Sequence, residues 1–249
     1  MMTGPGEANA AESEGAAGSG ADTGSATAEA APAPADVMSE RDRELLAKRR
    51  RAQDLAASGE LGSAVSAYRE LVAAEPKNAR LRLELAAVLE RRGEAARALD
   101  ELDAAVAAEP DDAQVLLARG AALSARARYE PADADLRRAQ RLDAANPEVY
   151  TQLGVLLCRA ARWREAIDPL LRAIELDPAR ANAHYYLGEA YNRFDELPAA
   201  LAAYERAAQL QPTHWRALKG VGIVLDRMGR PTEAAAAYQR SREAQRRSG

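Results

Sequence analysis

Residues 181–214 read ANAHYYLGEAYNRFDELPAALAAYERAAQLQPTH. In residues 181–193, His184, Leu187, Gly188 and Tyr191 fall on one face at helical spacing. Phe194, Asp195 and Glu196 make a turn. In residues 197–210, Leu197, Ala200, Leu201, Tyr204, Ala207 and Ala208 share one face of a second helix. Pro198 lies in its first turn, where a missing N–H costs nothing. Gln211, Pro212 and Thr213 then stop the helix. The stretch predicts a helical hairpin that cannot bury its apolar faces alone.

The same pattern recurs along the chain. Pro76 and Pro110 are 34 residues apart, as are Pro178 and Pro212. Ala86, Gly120, Gly154, Gly188 and Gly222 keep the same step, and so do Ala64, Ala98, Ala132, Ala166, Ala200 and Ala234. These series set a register of six units: 45–78, 79–112, 113–146, 147–180, 181–214 and 215–248. Small residues at the eighth and twentieth places let backbones approach closely. Large residues at the twenty-fourth place (Tyr68, Leu102, Leu136, Leu170, Tyr204, Tyr238) fill the space between helices. Stacking the hairpins makes one continuous core, so an all-α solenoid is expected over residues 39–249.

Composition agrees. Alanine dominates the 249 residues, leucine, glutamate and arginine are plentiful, and aromatics are 4%. Residues 1–38 hold six acids (Glu7, Glu12, Glu14, Asp22, Glu29, Asp36) and no Lys or Arg. No apolar side chain larger than alanine lies between Met2 and Val37, so this acidic Ala/Gly/Pro-rich segment is expected to be disordered. It reads either as an acidic arm or as residues upstream of a start at Met38. The remaining residues carry 32 acids and 34 bases, without the basic excess of a nucleic-acid binder. The single cysteine, Cys158, excludes an internal disulfide and is compatible with a reducing, cytoplasmic setting. No signal peptide and no membrane-spanning stretch is seen. The alanine and arginine content fits a GC-rich bacterial genome.

The linked positions resemble the tetratricopeptide repeat family. The fourth unit carries Tyr150, Leu153, Gly154, Leu157, Trp163, Ala166, Leu170, Ala173 and Pro178; the fifth carries Leu187, Gly188, Tyr191, Ala200, Tyr204, Ala207 and Pro212. The resemblance covers about four-fifths of the chain. It implies a right-handed superhelix of antiparallel helix pairs whose first helices line a concave groove. There are departures. Ala144 stands where the third unit should close with proline, which predicts altered geometry and a longer helix at that joint. Pro169 lies inside a second helix and is expected to bend it. The family commonly adds a final helix, and here the polar residues 239–248 are expected to let the last helix cap itself.

Little in the sequence suggests catalysis. His184 and His214 have no partner at metal-ligand spacing, and there is neither a phosphate loop nor a nucleophile elbow. No catalytic residue, metal or cofactor is expected. His184 reads as structural and His214 as a surface loop residue. Cys158 reads as buried or half-buried, with Arg159 and Arg162 able to lower its pKa.

By the resemblance, the second, fifth, ninth, twelfth and thirteenth places of each unit face the groove. In the fifth unit these are Asn182, Tyr185, Glu189, Asn192 and Arg193; in the sixth, Arg216, Lys219, Ile223, Asp226 and Arg227; in the fourth, Glu148, Thr151, Val155, Cys158 and Arg159. Arg159, Arg193 and Arg227 form a ladder that either grips a carboxylate or solvates helix ends. The N-terminal groove is milder, with Leu83, Ala87, Leu117 and Ala121, and suits a partner helix or another copy of the chain. The carboxylate clamp of some family members is missing, because Gln53 and Glu84 stand where it needs asparagine. The resemblance implies a non-catalytic protein-binding scaffold. A self-assembling structural protein and a recognition module for an enzyme of sugar transfer or envelope assembly are the alternatives.

Overall fold

The computed structural model describes residues 39–248. The expected disordered segment 1–38 lies outside the described residues. The described residues form twelve helices and no strand. The second helices of the pairs are α2 (Leu61–Ala74), α4 (Ala95–Ala108), α6 (Tyr129–Leu142), α8 (Trp163–Leu176) and α10 (Leu197–Leu210). The first helices are α3 (Ala79–Arg91), α5 (Ala113–Ala125), α7 (Pro147–Arg159), α9 (Ala181–Arg193) and α11 (Trp215–Arg227). Longer helices stand at the ends, α1 (Glu40–Ala57) and α12 (Pro231–Ser248). The pairs stack into a right-handed superhelical solenoid.

Four of the six pairs close by seating a large side chain against the backbone of a glycine. A Cβ on Gly154 would lie 2.4 Å from Leu170 Cγ, and one on Gly120 2.7 Å from Leu136 Cγ. The Tyr204 ring is gripped from two sides, 2.7 Å from a Cβ placed on Gly188 or on Gly220 of the next pair. Leu136, Leu170 and Tyr204 are fully buried there. Glycine at these places is thus a spacing requirement rather than a turn signal.

The turns also repeat. Asn78, Asp112 and Asn146 cap the first helices that follow them, each through a side-chain oxygen that accepts a backbone N–H. Within each hairpin the turn needs a left-handed residue. It is Gly59, Gly93 or Gly229 in three hairpins, and Ala127, Ala161 or Asp195 in the other three.

Two expectations about the joints need comment. The joint at Ala144 is not altered. The Asn146 N–H bonds to the Asp143 carbonyl at 3.3 Å, as the His214 N–H bonds to that of Gln211, and α6 has the same 14 residues as α4 and α8. The turn is made by its end residues, so proline at its second position is dispensable. Pro169 leaves α8 unbroken, with Ala166, Leu170 and Ala173 still buried. At the C-terminal end, α12 runs four residues beyond the usual 14. Its extension is tied down by Ser241 Oγ, which donates to the Trp215 carbonyl at 2.8 Å, and by buried Ala244.

Gly154→Ala and Gly188→Ala should each lower stability by about 1–3 kcal/mol through overpacking. Gly62→Ala, where an added Cβ meets nothing within 4 Å, should be neutral or stabilising by up to about 1 kcal/mol. Urea midpoints measure both, and equal effects at the three sites would contradict the spacing argument. Ala161→Gly relieves a left-handed alanine at φ 59° and should stabilise by about 0.5–1 kcal/mol in the same assay.

Candidate functional site

Consecutive first helices touch one another, α5 with α7, α7 with α9 and α9 with α11, while no two second helices make a comparable contact. The first helices therefore line the inside of the curve. The inner surface is not uniformly open. Thr151, Val155 and Cys158, expected to face the groove, are only 2%, 5% and 3% exposed. Helices α5 and α9 close over α7 at this point. The Cys158 thiol is pushed up to about 12 by burial, with Glu189 adding to the shift. Arg159 and Arg162 do not activate it, and its Sγ sits 3.9 Å from the Tyr186 carbonyl. It is a packed, unreactive side chain.

An apolar opening lies further toward the N-terminus. Between α3 and α5 is a cavity of about 280 Å³, lined by Leu83, Ala86, Ala87 and Glu90 on one side and Ala118, Ala121, Ala122 and Ala125 on the other, with Leu102 also in its wall. Facing alanines leave a gap that larger residues would fill. Arg126 braces the two repeats, donating to Glu90 Oε1 at 2.9 Å and to the Ala95 carbonyl.

The arginine ladder separates into three different roles. Arg227 reaches back to the previous repeat and donates to the Asn192 carbonyl at 2.9 Å, to the Asn192 side chain and to Asp195. Arg193 lies over the Trp163 ring at 4.8 Å. Arg159 is exposed and has no hydrogen-bond, ion-pair or ring partner among the described residues. Two of the three rungs are thus engaged in joining repeats.

The other groove candidates are similarly divided. Tyr185 packs edge-on to Tyr186 at 5.0 Å and against Tyr204 and His214 at 5.9 and 4.9 Å. The Tyr204 hydroxyl donates to Glu189 Oε1 at 2.6 Å. Burial raises both tyrosines above the ordinary phenol range. Asn182 is exposed beside a polar recess that also contains Glu148, Thr151 and Arg180. Arg216 covers the Trp215 ring at 5.0 Å. Lys219 is exposed and lines a cleft with Trp215, Tyr238 and Arg242. At the missing clamp, Arg49 donates to Glu84 at 3.0 Å, so the Glu84 carboxylate is engaged in joining the first two repeats.

His214 is a half-buried loop residue with a defined role. Its Nδ1 accepts the Ala217 N–H at 3.2 Å, capping α11, while its ring packs on Tyr185. Sequence spacing alone could have found this role, since position 214 is in register with the caps Asn78, Asp112 and Asn146. His184 Nε2 lies 3.1 Å from the Pro178 carbonyl, a structural contact. Among the described residues no group of three or more His, Cys, Asp or Glu is placed to hold a metal ion. No helix among them is long and apolar enough to cross a membrane.

Two family profiles, both described as Tetratricopeptide repeat, match the chain. One matches residues 55–122, the other residues 151–214 and 193–248. Together they cover about two-thirds of it. A crystal structure of MamA is 26% identical, with 64% of this chain and 94% of that chain covered and a TM-score of 0.56. PilF of Pseudomonas aeruginosa is 21% identical over 80% of this chain and 90% of its own, with a TM-score of 0.70. YrrB, described as a TPR protein with an unusual peptide-binding site, is 20% identical over 73% and 93%, with a TM-score of 0.55. The last two likenesses are of fold alone. No curated protein matches the chain.

Burial holds both histidines below their ordinary value of 6.5. On acidification the unfolded chain therefore takes up protons first. Stability present at pH 7 is lost as pH falls through about 6.5 toward the folded-state values. Protonated His214 also loses the lone pair that caps α11. The Tm should hold steady above about pH 7 and fall between about pH 7 and 5. His214→Asn, which retains a capping oxygen, should shrink that fall, and an unchanged pH profile in this variant would refute the assignment.

Proposed function

The chain belongs to the tetratricopeptide repeat family, and from that premise we propose that it is a non-catalytic scaffold that holds a protein partner on its concave face. The slot between α3 and α5 serves as the anchor point. The observation that carries this reading is the slot itself. It is an apolar, alanine-walled opening on an inner surface that is closed at α7. An apolar side chain of a partner segment would exchange water for Leu83, Leu102 and the alanine walls, burying apolar area on both sides. Arg159 and Asn182, exposed further along the same face, are available to the polar part of such a segment. The description of YrrB as having a peptide-binding site is in keeping with this use of the fold.

End-to-end self-assembly is opposed by charge. Helix α1 carries six bases (Arg41, Arg43, Lys48, Arg49, Arg50, Arg51) against four acids, and residues 240–247 carry four arginines against Glu243 alone. Stacking one end on the other would bring like charges together.

Ala121→Trp should fill the slot and reduce capture of a stoichiometric partner from native lysate by at least about tenfold. Arg227→Ala, which acts on a joint between repeats, should leave capture unchanged. Unaltered capture by Ala121→Trp would sink the slot as the anchor. If only the chain itself is recovered, with a mass that rises with concentration, self-assembly takes its place.

A further inference from the structure

Each second helix gives part of its surface to the first helix of the following pair. On α10 this surface is Leu201, Tyr204, Ala207 and Ala208, all buried where α11 meets them. The residues in register on α12 are Ala235, Tyr238, Ser241 and Arg242. With Gln245 and with Trp215 and Lys219 of α11, they line a cleft of about 630 Å³. Ala235 is exposed and Tyr238 only half-buried. By equivalence with α10, the cleft has the shape of a helix seat.

Its charge differs from that of the inner seats. At the place of Arg242 the other units have Val72, Val106, Gln140, Ile174 and Ala208, none of them charged. Lys219, Arg240, Arg242, Arg246 and Arg247 are exposed and unpaired with any carboxylate among the described residues. Elsewhere arginines pair repeatedly, as in Arg119 with Asp135 at 2.7 Å. The nearby acids are already engaged. Asp226 accepts the Tyr238 hydroxyl at 2.8 Å, and Glu243 accepts from Gln239 at 3.2 Å.

We propose that the α11–α12 cleft binds an amphipathic helix of a partner protein, with small apolar residues against Ala235 and Tyr238 and carboxylates on Lys219 and Arg242. The unpaired cations supply the charge complementarity, and the apolar floor supplies the buried area. A nucleic acid fits the same surface less well. Stacking of bases needs free ring faces, whereas Arg216 covers Trp215, and the Asp226 carboxylate lies at Tyr238. This surface is separate from the slot between α3 and α5 and uses none of its residues.

The test uses the full chain carrying Trp163→Phe, which leaves Trp215 as the only tryptophan. The probe is a synthetic peptide of about 18 residues, long enough to hold a helix, with an Ala/Leu stripe flanked by glutamates. Its controls are the same peptide with lysines for glutamates, one broken by a central proline, and an oligothymidylate of similar length. The acidic helix should give a saturable shift of Trp215 emission, weakened at least about tenfold by Lys219→Glu with Arg242→Glu and less by the paired glutamine substitutions. Ala121→Phe, which fills the slot without adding a tryptophan, should leave this binding intact, so failure here is distinguishable from failure of the slot. The proposal is overturned by any of four results: no saturable shift with the acidic helix, equal binding of the lysine or proline peptide, tighter binding of the oligothymidylate, or no effect of the charge reversals.

Discussion

Four of the six pairs depend on the contact between a glycine in the first helix and a large side chain in its partner. Where the glycine lacks a Cβ, the Leu170 or Tyr204 side chain lies against backbone, and both are fully buried. Interiors are packed so closely that one methyl group at this point has nowhere to go. The contact sets the distance between paired helices. Through Tyr204, which touches glycines of two successive pairs, it also sets the distance between pairs. A repeated local constraint of this kind propagates into the pitch and curvature of the whole array.

Curvature then decides what the inner surface can do. On the inside of the curve, helices of the same class converge, and where they meet tightly a residue nominally on the groove becomes core. Thr151 satisfies its hydroxyl on the Pro147 carbonyl at 2.8 Å, and Cys158 faces the Tyr186 carbonyl, because water no longer reaches them. Where facing residues are alanines, as between α3 and α5, the same convergence leaves a slot. Openness along the groove follows from side-chain size at a few facing places.

This explains how much was legible in the sequence. Helix positions, hairpin turns, the close-packing glycines and the core tyrosines and leucines obey a 34-residue period, and the period exposes them. The slot, the closure over α7 and the partners of the ladder arginines depend on which residue stands one repeat away, which no single unit displays. Arg227 finds Asn192 and Asp195 in the repeat before it. Arg193, one period earlier, would find Cys158 and Ala161 and turns to Trp163 instead. Identical spacing therefore concealed different chemistry. The expectation of an altered joint at Ala144 failed for the opposite reason, since the absent proline was never the residue making the turn's hydrogen bond.

Charge distribution carries the same logic a step further. Inside the array, arginine serves cohesion. Arg119 grips buried Asp135 through two nitrogens and also reaches Asp103 across the joint, while Arg126 ties the same joint and Arg49 the one before it. Such bidentate pairs are geometrically demanding and repay the desolvation of their ions only when the partner is held in place. An arginine with its carboxylate one repeat away is therefore spent on the fold. One without such a neighbour keeps its full hydration and its capacity for a partner. Along a repeat protein the cations available for recognition are among those at which the periodic pairing fails, as it does at Arg159 and around Lys219 and Arg242 on the surface of α11 and α12.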